Sequence, residues 1–262
     1  MREICQNSLP VKPWMEEKTR RLPGLNAVAP GDWLRVDEAY GEQMAYREEL
    51  LHDQRDVVYR LSEAAHPAAT ELLEKVLSEI ASISGFQIKT DCVICPDGRQ
   101  VLLDHSDPLL TAAKLVQEDL VIMEQTGDEH VLTGAVLCFP ASWSLAEKFG
   151  RGLFQIHEPV APYNADIGKR VQRIFDFIKP THPMWRANYL VYSDPTLHQP
   201  RREDNRRAVD PDAQVWVRVE RQCLVRLAVT QAVVFSIHTY VVPIETLSNE
   251  ERSELQKWKH HD

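Results

Sequence analysis

Residues 138–160 read Cys-Phe-Pro-Ala-Ser-Trp-Ser-Leu-Ala-Glu-Lys-Phe-Gly-Arg-Gly-Leu-Phe-Gln-Ile-His-Glu-Pro-Val, a dense mixture of apolar and chemically active side chains. His157 follows Leu153, Phe154 and Ile156 and precedes Pro159. An imidazole in an apolar wall beside a proline that stiffens the backbone has two readings. It is either an axial ligand for a large flat cofactor such as heme, or a core histidine with one ring nitrogen satisfied by a backbone carbonyl.

A second concentration of chemistry lies in residues 215–229, Val-Trp-Val-Arg-Val-Glu-Arg-Gln-Cys-Leu-Val-Arg-Leu-Ala-Val. Strand alternation puts Val215, Val217, Val219, Arg221, Cys223, Val225, Leu227 and Val229 on one face, with Arg221 as its sole charge. A guanidinium within an apolar face needs an anion, because burying it unpaired is costly. Arg221 therefore either meets a cofactor propionate or a substrate, or forms a buried ion pair with an acid such as one from residues 117–119. The opposite face, with Arg218, Glu220, Gln222 and Arg226, is a solvated surface unless a helix or cofactor covers it. His238 alternates with Ser236 and Tyr240 on the next strand and either neighbours that polar face or is exposed.

Other candidates have plainer readings. Cys92 and Cys95 form a lone C-x-x-C ahead of a Pro96-Asp97-Gly98 turn, without the second pair that zinc requires, and read as structural. His105, in Asp-His-Ser-Asp-Pro, reads as part of a capped loop before a helix, and His182-Pro183 as a turn. No G-x-G-x-x-G, G-x-x-x-x-G-K-[ST], H-E-x-x-H or G-x-S-x-G pattern occurs.

The chain has 262 residues, 44% hydrophobic and 26% charged, with a net charge of -9. That composition suits a soluble globular protein with a sizeable core and argues against a nucleic-acid role. Arg201, Arg202, Arg206 and Arg207 are interleaved with Glu203, Asp204 and Asp210 and read as a solvated loop. No apolar run approaches the roughly 20 residues needed to span a bilayer. A polar start without a signal-peptide core and five scattered cysteines point to a reducing, cytoplasmic setting.

The elements that must position these groups follow from periodicity. Residues 1–36, rich in Pro and Trp, read as an extended arm packed on the body. Asp37 is placed to cap a helix running to about Tyr59, and Pro67 to start a second, with Leu72, Leu73, Val76, Leu77 and Ile80 on its apolar face. A hairpin is expected over 91–95 and 99–103, a short helix at 108–117, and strands at 119–124 and 130–139. Helices at 144–149 and 164–178 precede strands near 186–192, 214–229 and 232–242, and a helix over 244–260. Helices followed by mostly consecutive strands indicate an α+β fold with an antiparallel sheet.

Several separated strings resemble one family. They are Gln117-Glu118-Asp119-Leu120, Cys138-Phe139-Pro140-x-x-Trp143-x-Leu145-x-Glu147-Lys148-x-Gly150, Ile156-His157-x-Pro159-Val160, Arg186-x-Asn188-Tyr189 and Glu220-Arg221-Gln222-x-Leu224-x-Arg226-Leu227. Together with Leu25, Trp33 and Asp37-x-x-Tyr40 they resemble the heme-dependent oxidative N-demethylases over nearly the whole chain. The resemblance implies a PAS-like antiparallel sheet with flanking helices, residues 37–262 forming one heme-binding domain behind the arm. It implies heme b, oxidative removal of an N-methyl group from a small amine such as dimethylamine with dioxygen, and release of formaldehyde. Electrons would come from a separate flavin/iron–sulfur reductase, and in some systems a tetrahydrofolate-binding subunit takes the formaldehyde.

On that resemblance His157 ligates the iron, and Lys148 and Arg186 neutralise propionates. Glu220 and Arg221 act at the reacting centre, and Asn188, Arg226 and His238 bind the substrate. The chain departs from the family pattern at Tyr189, where Trp is common, at His238, where Arg is common, at Ala161, and around Ser84-Gly85-Phe86. A reading from another class is a heme-binding sensor or carrier without turnover. A sensor would be expected to carry an output domain or a long signalling helix.

Overall fold

The computed structural model describes residues 2–20, 24–141, 143–157, 165–201 and 214–258, apart from the side chains of 157, 165–167 and 258. The basic stretch at 202–213 and the residues that follow His157 lie outside the described ones. In chain order the helices are α1 (Glu17–Arg20), α2 (Tyr40–Asp53), α3 (Arg55–Val58), α4 (His66–Ile80), α5 (Pro108–Ala113), α6 (Leu145–Lys148), α7 (Leu153–His157), α8 (Ala165–Phe177) and α9 (Asn249–Trp258). The strands are β1 (Asn26–Ala27), β2 (Tyr59–Leu61), β3 (Gln87–Ile88), β4 (Cys92–Ile94), β5 (Gln100–Leu102), β6 (Asp119–Thr126), β7 (Glu129–Val136), β8 (Met184–Tyr192), β9 (Trp216–Arg226) and β10 (Val233–Pro243).

Seven strands form one antiparallel sheet in the order β1-β8-β9-β10-β6-β7-β2, and β3-β4-β5 form a small second sheet. The fold is α+β, as the run of consecutive strands predicts. The long β9–β10 hairpin supplies the centre, rich in the β-branched residues that suit a pleated, buried surface. Both of its faces are covered. One, here the arm face, packs Cys223, Val225, Leu120 and Ile122 against α2, α4, α5 and Trp33, and Val217, Val219 and Val242 against Trp14 and Leu255. The other, the α7 face, packs Val121, Met123, Leu224 and Ile237 against Leu145, Leu153, Ile156, Phe175 and Ile178. No helix among the described residues is long and apolar enough to cross a membrane.

Several local expectations shift. The helix expected over 37–59 breaks at Gln54 into α2 and α3, and Tyr59 already belongs to β2. Asp37 lies before the first turn instead of capping it, and its carboxylate accepts from Ala39 N, Gln117 Nε2 and Gln6 Nε2. The Pro-Asp-Gly turn closes the β4–β5 hairpin with Gly98 at φ +85°, a left-handed conformation that favours glycine. Cys92 and Cys95 are buried free thiols. The arm is less extended than expected, since it contains α1 and contributes β1 to the main sheet.

Candidate functional site

Register decides which of the candidate residues meet. Asn188 on β8 sits opposite Glu220 on β9, and Arg186 sits opposite Gln222. Cross-strand partners share a face, so Arg186, Asn188, Glu220, Gln222 and Arg218 all project to the α7 face. Glu220 is buried and held from both sides. Arg218 Nε lies 3.2 Å from Oε1, and Gln222 Nε2 lies 3.3 Å from Oε2. Arg218 is itself fixed by the Leu197 carbonyl at 3.0 Å and by the Phe139 carbonyl.

The two β8 side chains are different. Arg186 Nε and Asn188 Oδ1 are shielded from solvent and have no hydrogen-bond partner. Burial pushes the Arg186 guanidinium below its ordinary range, with Glu220 opposing the shift. Buried polar atoms are almost always paired, so an orphaned donor and an orphaned acceptor on one strand, two residues apart, mark a place built for a further group. The unfilled donor calls for an anion such as a carboxylate, and the unfilled acceptor for an N–H or O–H.

A short helix sits on the same face. α7 was not expected from the sequence, and it places residue 157 at its C-terminal end. Both ends of α7 are tied down. At the start, Phe154 N donates to Glu129 Oε1 at 2.6 Å. That approach is possible because residue 152 is glycine: a Cβ there would lie 2.1 Å from the Glu129 carboxylate. At the end, Lys148 Nζ, from the buried last residue of α6, donates to the Ile156 carbonyl at 2.6 Å. Leu153 and Ile156 pack into the apolar layer under α8. The His157 side chain lies outside the described residues.

Three expected site residues are placed elsewhere. Arg221 faces the arm, where Nη2 donates to the Asp32 carbonyl at 2.6 Å and pairs with its carboxylate at 3.2 Å. Its Nη1 donates to the Trp33 carbonyl at 3.1 Å, and the guanidinium lies over the Trp185 ring. The acid partner therefore comes from the arm and not from residues 117–119. His238 is the register partner of Arg221 and shares its face. It is fully buried between Glu118 Oε1 at 2.9 Å and Asp37 Oδ2 at 3.0 Å. Burial alone would lower its pKa, but Glu118 and Asp37 outweigh it and raise it to about 9. Arg226 lies on the α7 face but is spent on carbonyls at the end of α8: Ile178 at 2.7 Å, Phe175, and Gln231 at 2.7 Å in the β9–β10 turn. A cation at a helix C-terminus is favourable in its own right.

Gln117-Glu118-Asp119 is likewise a staple. Gln117 bridges Asp37 and Gln43, Glu118 holds His238 and the Arg35 N–H, and Asp119 pairs with Arg47 at 3.0 Å and caps the amides of Cys138 and Phe139. Sequence reasoning passed over two histidines whose Nε2 has no partner, His130 and His198. His130 on β7 is buried, its Nδ1 is 2.9 Å from Gln172 Nε2 on α8, and its Nε2 has no partner. Burial lowers its pKa. Only its place in the alternating strand β7 could have marked it as inward-facing. No group of three or more His, Cys, Asp or Glu side chains that could hold a metal ion occurs among the described residues.

The α7 face thus presents an apolar floor, a helix ending in a histidine, and a desolvated cation beside an orphaned amide oxygen and a buried carboxylate. Residues 24–259, nearly all of the chain, match a family described as haem-dependent oxidative N-demethylase, alpha subunit-like, and the chain belongs to that family.

Proposed function

We propose that the chain oxidises an N-methyl group of a small secondary amine such as dimethylamine, using dioxygen and external electrons and releasing formaldehyde, with heme b held against the α7 face. The observation that carries this reading is the pair of buried, unpartnered atoms, Arg186 Nε and Asn188 Oδ1, flanking Glu220. The residues fit heme. Its ring is apolar and its edge bears carboxylates, and this face pairs an apolar floor of Val121, Met123, Leu224 and Ile237 with a guanidinium whose Nε lacks a hydrogen-bond partner. When bound, heme supplies the activation of dioxygen.

The chain's own residues do the rest. His157 would hold the heme iron, and Lys148 positions it by fixing the preceding turn of α7. Arg186 would pair with a propionate. A protonated secondary amine carries two N–H donors, and the site offers two acceptors on register partners, the Glu220 carboxylate and Asn188 Oδ1. Glu220 already accepts from Arg218 and Gln222, yet a carboxylate has about four lone-pair sites, so capacity remains. Arg218 and Gln222 then act as positioning residues. Arg221, His238 and Arg226 support the sheet and α8 without touching the amine.

The family's description as an alpha subunit speaks for partner subunits. A flavin/iron–sulfur reductase suits the need for electrons, and a tetrahydrofolate-binding subunit would accept formaldehyde. The test is to reduce the heme-loaded chain anaerobically, mix it with aerated dimethylamine while a chemical electron donor is kept in excess, and quantify formaldehyde. The excess is needed because removing one methyl group with dioxygen consumes two electrons and the reduced heme would hold one. Formaldehyde in proportion to heme is the expected result. Reoxidation with no formaldehyde would contradict it and favour a carrier.

A further inference from the structure

The chain is acidic overall, at -9, but the outer surface of α7 and α8 is not. Lys169, Arg170 and Arg173 are exposed along α8, and Arg151 is exposed just before α7. Two large apolar side chains stand among them: Phe177 is 69% exposed and Phe154 49%. Arg173 lies over the Phe177 ring at 5.7 Å. The two helices are brought side by side by successive residues of β7. Glu129 binds Phe154 N, and His130 meets Gln172 on α8. Two acids beside this surface are hydrogen-bonded within it, Glu129 to Phe154 N and Asp176 to Gln172 Nε2.

An apolar centre within a charged rim is the anatomy of a protein interface. Charges farther apart than about 8 Å are screened at physiological salt, so a partner senses this local cationic surface more than the distant net negative charge. The helix that forms half of the surface is also the one that ends at His157.

We propose that the outer face of α7 and α8, centred on Phe177 and Arg173, is the docking surface for an electron-donor protein that presents an acidic face. This rests on the reading above that electrons reach heme held by α7. It adds where the donor binds and what charge it carries.

The probe is an acidic plant-type [2Fe–2S] ferredoxin. Its reduced form is mixed anaerobically with the heme-loaded chain and heme reduction is followed by stopped flow. In parallel, the oxidised ferredoxin is titrated into the heme-free chain at low salt. The variants are the triple reversal K169E/R170E/R173E and F177S, with K89E, an exposed reversal elsewhere, as control. The triple reversal is expected to slow reduction by ferredoxin about tenfold or more and to abolish binding to the heme-free chain, while reduction by dithionite is unchanged. F177S should weaken binding, and K89E should behave as the parent. Equal rates and equal binding for parent and triple reversal, or no ferredoxin binding to the parent, would overturn the proposal. Failure to take up heme would show separately in the absorption spectrum, and the titration of the heme-free chain would still decide the docking surface.

Discussion

Lys148 and Ile156 are joined by a 2.6 Å hydrogen bond from the ammonium to the carbonyl oxygen, one residue before His157. The bond crosses the turn at Gly150 and ties α6 to the last turn of a five-residue helix too short to hold itself. K148M keeps the side-chain bulk but removes the charge-assisted bond, and is expected to cost about 1.5–3 kcal/mol of stability. It should also lower heme affinity about tenfold by releasing His157. Denaturant unfolding and heme titration check the two effects, and an unchanged heme affinity would remove Lys148 from the positioning role.

Arg186 offers a test in which the direction of the change is informative. An arginine in a structural ion pair costs about 3–5 kcal/mol to remove, because its partner is left buried and charged. Arg186 Nε has no partner, so R186M is expected to leave the heme-free chain as stable as the parent, or stabilise it by about 1 kcal/mol, while weakening heme binding. A large loss of stability without heme would show that the guanidinium is a structural staple.

His238 sets an alkaline limit on stability. Its folded pKa is raised to about 9 from an ordinary value near 6.5, so the imidazolium between Glu118 and Asp37 stabilises the fold fully below pH 6.5. That contribution, on the order of 3 kcal/mol, is lost as pH rises through about 9. Asp37 has the opposite sign. Burial acts to raise its pKa, but His238, Gln117 and Gln6 hold it below the usual carboxylate range, so its contribution is lost only in acid. Unfolding free energy measured from pH 6 to 10 should therefore fall, and H238Q should flatten the slope. A parent protein with no slope would contradict the buried imidazolium.

Arg226 separates fold from function. R226M leaves three carbonyls at the end of α8 and the β9–β10 turn without their donor and is expected to cost about 2–3 kcal/mol. Amine affinity of the folded, heme-loaded variant should match the parent, as measured by optical titration.

Periodicity located most of the frame. The consecutive strands, the Pro67 helix start and the Pro-Asp-Gly hairpin appear close to their expected positions, because alternation and turn chemistry are local signals. What was not legible is long-range. Nothing near Arg221 in sequence reveals Asp32 as its partner, and only the β9–β10 register shows that His238 belongs with Arg221 and not with Glu220. α7 is short and held by Glu129 and Lys148, so its own residues carry little helical signal. The departures from the family pattern also take their meaning from the sheet. Tyr189 packs edge-on against Trp14, with ring centres 5.2 Å apart, and His238 lies on the same arm face two strands away, on β10. Both lie across the sheet from Arg186, Asn188 and Glu220, so these two changes alter the sheet's backing and not the candidate amine site.

The most direct measurement is an optical titration of the heme-loaded chain with dimethylamine, comparing the parent with N188L and H238Q after confirming that each is folded. A saturable shift of the main heme band is expected in the parent. H238Q should keep its affinity, and N188L, which loses the orphaned amide oxygen, should bind at least about tenfold more weakly. Equal affinity for N188L and the parent, or a loss confined to H238Q, would contradict a site on the α7 face.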